Sequence, residues 1–165
     1  MSNDEYNKSY KKQHFISYGD DRPNAVNRIK KQAEIFNTFS TIDVYYNNDI
    51  YDEDFKNKYK FVLNQKRGGG YWIWKPAVVK TKLDEINDNE FLVYLDAGCK
   101  INITENSTKR FYEYIDLLNK DVNNTGIISF ENGYKERNWF IQEIFDYFKV
   151  NIKSKIATSQ QIVGN

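Results

Sequence analysis

Five consecutive apolar side chains, Phe91-Leu92-Val93-Tyr94-Leu95, stand between the turn residues Asn87-Asp88-Asn89 and Asp96-Ala97-Gly98. A run of this kind marks a strand covered on both faces, as in a parallel sheet flanked by helices. The neighbouring sequence supplies the cover by alternation. His14-Phe15-Ile16-Ser17-Tyr18 reads as a first strand ending at Gly19-Asp20-Asp21, and Ile42-Asp43-Val44-Tyr45-Tyr46 as a second. Between them Ala25, Ile29, Ala33 and Phe36 recur at helical intervals, with Asp21 as cap and Pro23 in the first turn. A helix of that length is the crossover that parallel strands require.

Further along, Ile50, Phe55, Tyr59, Val62 and Leu63 predict one or two surface helices within 49–66. Pro76 opens another helix with Val78, Val79, Leu83 and Ile86 as its buried stripe, and 91–95 follows as the central strand. A helix over 107–119, a strand over 126–130 and a helix over 139–148 complete the alternation. The expected fold is therefore α/β, an open, mostly parallel, Rossmann-like sheet with helices on both faces. Residues 156–163 begin another strand-like run just before the sequence ends, a pattern expected of a domain whose C-terminal part is missing.

At 165 residues the chain suits a single domain. Its 24 basic and 23 acidic residues nearly cancel, which leaves no broad field for a nucleic-acid backbone, so no nucleic-acid partner is expected. One cysteine, Cys99, excludes an intramolecular disulfide, and one histidine, His14, excludes a paired-histidine metal site; any metal must sit on carboxylates. The polar N-terminus and the lack of a span of about 20 apolar residues give the expectation of a cytoplasmic protein without a membrane span.

In open α/β sheets, ligands bind outside the carboxyl ends of the strands. Three features converge there: Tyr18-Gly19-Asp20, the loop Arg67-Gly68-Gly69-Gly70-Tyr71-Trp72-Ile73-Trp74-Lys75, and Asp96-Ala97-Gly98. The glycines allow backbone amides close to a phosphate, and Arg67 and Lys75 supply positive charge. Tyr71, Trp72 and Trp74 offer faces for a base or a sugar, although at least one tryptophan is expected in the core. Asp96 at the end of an apolar strand calls for a cation, a helix N-terminus or a ligand hydroxyl, or else caps the turn at Gly98. Neither a P-loop nor a dinucleotide fingerprint is present.

Arg67-Gly-Gly-Gly-Tyr-Trp-Ile-Trp-Lys-Pro76 followed by Tyr94-Leu-Asp-Ala-Gly-Cys99 resembles a group of viral and bacterial GT-A-fold glycosyltransferases that carry an R-G-x-G-Y-W-x-W-K-P loop and a Y-L-D-A-G-C strand end. Ile16-Ser17-Tyr18-Gly19-Asp20 resembles the family's first strand and nucleotide-facing turn, and Arg28-Ile29 with Gln32-Ala33 its first helix. Glu136-x-x-Trp139 is similar to a downstream E-x-x-W element, and Gln161-Ile-Val-Gly164 to the start of a later strand. The resemblance implies a transferase that moves a sugar from a nucleotide-sugar donor to a glycan or other hydroxyl acceptor. Carried over, Ser17, Tyr18, Gly19, Arg67, Tyr71, Trp74, Lys75, Asp96, Ala97 and Gly98 face the donor, and Glu136 and Trp139 the acceptor. Residues 14–100 then form the nucleotide-sugar-binding half behind a polar extension, 1–13, and residues 101–165 part of the acceptor side. No catalytic base is assigned.

The resemblance also implies a metal, since in GT-A enzymes an Asp-x-Asp element holds Mn²⁺ or Mg²⁺ on the donor diphosphate. Here it reads Asp96-Ala97-Gly98, so the implied divalent cation has one carboxylate ligand, with phosphate and water for the rest. Two other readings compete. One is a truncated or degenerate transferase that binds a nucleotide sugar or a glycan without turnover. The other is a methyltransferase using S-adenosylmethionine, since Val93–Cys99 imitates a D-x-G-x-G turn; Lys100 in the second glycine's place and the late position of the turn count against it.

Overall fold

The computed structural model describes residues 11–19, 23–46, 50–120 and 126–163. They divide into two compact units, residues 1–113 and 114–165. Asp20, Asp21 and Gly164 lie outside the described residues, and with them the expected cap of the first helix.

In the first unit, β1 (Gln13–Tyr18), β2 (Thr41–Tyr45) and β3 (Phe91–Tyr94) form a three-stranded parallel sheet in the order β2-β1-β3. Every residue of β1 is buried, whereas those of β3 are only partly so. The central strand is therefore β1, and the apolar run expected in the middle stands at one side. The reason is the number of strands: with the stretch 126–130 outside this sheet, β3 has a hydrogen-bonded neighbour on one side only among the described residues.

Successive strand residues point to opposite faces, and β1 uses both. Phe15 packs with Val26, Ile29, Ala33 and Phe36 of α1 (Pro23–Phe36), while Ile16 and Tyr18 pack with residues beyond β2. The expected stripe of α1 is found with Val26 in the fully buried place anticipated for Ala25. That close packing explains Gly19, since a Cβ there would stand 2.0 Å from Val26 Cγ2.

On the other face lie α2 (Glu53–Lys58), capped by the Asp52 carboxylate accepting from the Phe55 amide at 2.7 Å, α3 (Lys60–Leu63) and α4 (Trp74–Glu85). Helix α4 starts two residues before Pro76, which still occupies the first turn, where its missing N–H costs nothing. Its buried stripe is Trp74, Val78 and Lys82 at four-residue steps, and the expected Leu83 is 52% exposed. Docking Trp74 into the core sets this rotation. Lys82 buries its stem and brings its ammonium to Asp43 at 2.7 Å and Glu85 at 3.2 Å, tying α4 to β2.

Helix α5 (Glu105–Asn119) leads into the second unit, where β4 (Phe130–Lys135) pairs antiparallel with β5 (Gln160–Val163). The strand expected over 126–130 is thus displaced. Residues 126–129 have no regular structure, Ile127 is 71% exposed, and the strand that begins at Phe130 belongs to a separate two-stranded sheet. Similarly, the helix expected over 139–148 is a 3₁₀ turn at Glu136–Asn138 followed by α6 (Gln142–Tyr147). Within 156–163 the run splits into α7 (Lys155–Thr158), capped by Ser154, and β5. No helix among the described residues is long and apolar enough to cross a membrane.

The lone histidine clips the amino ends of the three parallel strands together. His14 Nδ1 lies 2.9 Å from Thr41 Oγ1, and Nε2 lies 3.0 Å from the Glu90 carboxylate. Hydrogen bonds from the Asn87 backbone and side chain, with a smaller contribution from His14, hold Glu90 below its ordinary value of 4.5. A carboxylate depressed in the folded state stabilises above its unfolded pKa, and that stabilisation is lost as pH falls through the folded value. In urea melts between pH 6 and 3 the midpoint is therefore expected to fall on the acid side, and Glu90→Gln to remove part of that dependence. An acid limb identical in the two proteins would contradict the assignment.

Candidate functional site

At the carboxyl ends of β1 and β3 the backbone leaves the sheet at Tyr18-Gly19 and at Asp96-Ala97-Gly98. The loop before α4 closes the space between them, giving a cleft of about 580 Å³. Lys66, Gly68, Gly69, Trp72, Trp74 and Lys75 supply the loop's share of the lining.

The glycine run is a structured element. Gly68, Gly69, Gly70, Tyr71 and Trp72 all have positive φ, between 52° and 86°. The amides of Tyr71 and Trp72 donate to the carbonyls of Arg67 (2.8 Å) and Gly68 (3.0 Å). This is one turn of left-handed helix. Left-handed backbone costs an ordinary L-residue roughly 1–2 kcal/mol, which glycine escapes. Three glycines carry most of the turn, so the strain is confined to Tyr71 and Trp72, the pair whose placement it decides. Trp72 faces the cleft, with the Arg67 guanidinium 5.8 Å from its ring. Tyr71 is outside the lining and exposed, its hydroxyl 3.5 Å from Gln65. At Gly68 an added Cβ would meet the Trp72 ring at 2.6 Å.

Trp74 is the core tryptophan. Its ring stacks on Tyr18 with centroids 4.4 Å apart and planes 16° from parallel, and its indole N–H donates to the Gly68 carbonyl at 3.1 Å. The stack joins the end of β1 to the start of α4 and brings the next residue to the cleft. Lys75, expected just before the helix, is the second residue of α4. Its Nζ lies 3.1 Å from Asp96 Oδ1 and 3.2 Å from Oδ2, with the Tyr94 ring 5.2 Å away. The Tyr94 hydroxyl donates to the same carboxylate. Burial, and then the hydrogen bond to Asp96 and its charge, push the Tyr94 phenol far above its ordinary value, so it remains a donor. The Asp96 carboxylate thus answers Lys75 and Tyr94. The turn beyond it is closed by its backbone carbonyl, which accepts from the Cys99 amide at 2.8 Å.

A second anchor comes from α1. Arg28 donates to the carbonyls of Ala97 and Cys99, both at 2.8 Å, and to Gln32 Oε1 at 3.2 Å. Gln32 Oε1 also accepts from the Ile101 amide at 3.2 Å. This clamp fixes the loop that carries Asp96. Its traces in the sequence are the resemblance of Arg28-Ile29 with Gln32-Ala33 to a family helix and a four-residue spacing, which puts both side chains on one face.

Of the residues assigned to the donor, Tyr18, Gly19, Trp74, Lys75, Asp96, Ala97 and Gly98 line the cleft. Ser17 is buried within β1, Arg67 lies against the Trp72 ring outside the lining, and Tyr71 is exposed outside it. Trp72, offered above as a face for a base or a sugar, joins the lining, and so does Lys66, which was not singled out. A lysine within the charged stretch 49–66 has no feature that separates it from a solvated one. The acceptor-side pair belongs to the second unit, where Trp139 is exposed and edge-on to Tyr134 at 5.4 Å and the Glu136 amide donates to Ser159.

For a divalent cation the donor set is a poor fit. Asp96 is the sole carboxylate among the described lining residues, and both of its oxygens are engaged by protein donors. No group of three His, Cys, Asp or Glu side chains among the described residues is placed to hold a metal ion. Comparison with protein-family models, curated proteins and solved structures finds no match to the chain.

The Arg28 clamp is testable. Charge-assisted hydrogen bonds contribute about 1.5–3 kcal/mol each and are not additive, so Arg28→Met is expected to lose about 2–3 kcal/mol in urea denaturation. Arg28→Lys should recover less than half, because one ammonium cannot reproduce the guanidinium fork. Full recovery by lysine would show that charge alone suffices.

Proposed function

We propose that the chain is a glycosyltransferase of the GT-A type that binds a nucleotide-sugar donor in this cleft and transfers the sugar to a hydroxyl of a glycan or similar acceptor. One observation carries the reading: three segments far apart in sequence, Tyr18-Gly19, Lys66–Lys75 and Asp96–Gly98, meet at one carboxyl-end rim of a parallel sheet. That is where α/β sheets hold nucleotides, and the cleft volume lies within the usual ligand range of roughly 300–1,000 Å³.

The residues divide the work by chemistry. Lys66 and Lys75 supply positive charge for a diphosphate. Negative charge grows on that diphosphate as the bond to the sugar breaks, and an ammonium held in place beforehand stabilises it without reorganising. Asp96 and Tyr94 do the holding. Trp72 offers an aromatic face to a base or sugar, while Trp74 stays in the wall behind it. Glu136 and Trp139 remain the acceptor-side candidates on the strength of the E-x-x-W resemblance alone. A cytoplasmic location goes with this reading.

A thermal-shift panel of UDP-, GDP- and CMP-sugars beside S-adenosylmethionine tests it. A ligand at a hundredfold excess over its Kd adds about 2.7 kcal/mol, a rise of roughly 5–10 °C for a chain of this size. We expect that rise from at least one sugar nucleotide, reduced in Trp72→Ala, with release of UDP or GDP, or of CMP from a CMP-sugar, when acceptor is supplied. A rise with S-adenosylmethionine alone would overturn the reading, and stabilisation by a sugar nucleotide without turnover would mark a binding protein.

A further inference from the structure

We infer that the cleft takes its diphosphate without a divalent cation, the Lys75 ammonium standing where a metal ion would otherwise meet the phosphates. The inference rests on the donor-site reading above and names how that site handles charge.

The geometry of Asp96 carries it. A magnesium or manganese ion bound there needs a carboxylate oxygen at about 2.0–2.2 Å. Both oxygens already face Lys75 Nζ, at 3.1 and 3.2 Å, and Oδ1 also accepts from the Tyr94 hydroxyl. A cation on Asp96 would compete with the ammonium for the same two oxygens and stand beside it, two positive charges over one carboxylate. Lys75 is also held from its other side, against the Tyr94 and Trp74 rings at 5.2 and 5.7 Å.

The charge balance agrees. Among the described lining residues, two lysines face one carboxylate. An ammonium has three N–H donors, and the two Asp96 oxygens leave at least one for a phosphate oxygen. Asp96 thus acts as a positioning residue for Lys75 rather than as a metal ligand. The spare position is nearby: at Gly98, where a second carboxylate would complete an Asp-x-Asp pair, an added Cβ meets nothing within 4 Å. Space for a two-carboxylate site exists and the sequence leaves it unused.

The test is isothermal titration of the full chain with UDP and with GDP, in EDTA and in Mn²⁺, on the native protein and on Lys75→Met. The expected result is binding of one nucleotide with affinities within about twofold in EDTA and in Mn²⁺, weakened about tenfold or more by Lys75→Met. Circular dichroism confirms that the variant is folded, and the EDTA comparison on the native chain stands if it is not. Binding that vanishes in EDTA and returns with Mn²⁺ overturns the inference and leaves the donor site standing. A folded Lys75→Met of unchanged affinity also overturns it. No binding of either nucleotide under both conditions overturns the inference, while the donor-site reading is decided by the wider sugar-nucleotide panel above.

Discussion

The burial of β1 on both faces is the constraint on which the first unit depends. Phe15 is committed to the α1 side and Ile16 with Tyr18 to the α4 side, all of them buried. Burying a large apolar side chain contributes about 1.5–3 kcal/mol, so slipping this strand by one residue would forfeit several such terms at once. Register fixed in this way decides where the strand ends. It stops at Tyr18, whose ring becomes the platform for Trp74, and at Gly19, where only a glycine passes Val26.

From that platform the site is assembled by contacts that run in one direction. Trp74 stacks on Tyr18 and so sets the start and rotation of α4. The next residue, Lys75, meets Asp96. The residues before Trp74 form the left-handed turn, at the expense of strain in Tyr71 and Trp72. Arg28 and Gln32 hold the other wall from α1. The two faces of the sheet therefore each contribute one wall of the cleft, and the Lys75–Asp96 pair is where they meet.

Much of this was legible in the sequence, for a physical reason. Burial on two faces leaves a run or a period that needs no partner to be recognised, which is why β1, α1, β2 and β3 stand close to their expected bounds. Which strand is central was not legible. The run Phe91–Leu95 is more apolar than Gln13–Tyr18, and the buried His14 of β1 is tolerated because Thr41 and Glu90, distant in sequence, receive it. Helix α4 shows a related limit: its apolar residues allow more than one stripe, and a tertiary contact at Trp74 chose the one that includes Lys82. In the second unit the apolar stretch 126–129 has no regular structure, and the strand pairing is made by residues 130–135 with 160–163.

The candidate site followed the same division. Residue types with chemistry at strand ends were visible, and Tyr18, Lys75 and Asp96 do converge. Contacts that depend on backbone geometry were not, since neither tyrosine nor tryptophan signals positive φ and nothing in Arg28 signals the carbonyls it holds. The central claim is that this rim is where the nucleotide-sugar donor sits. Hydrogen–deuterium exchange with and without whichever sugar nucleotide stabilises the chain measures that directly. Protection concentrated in 17–19, 66–75 and 96–101 is the predicted result, and protection confined to 130–163 would contradict it.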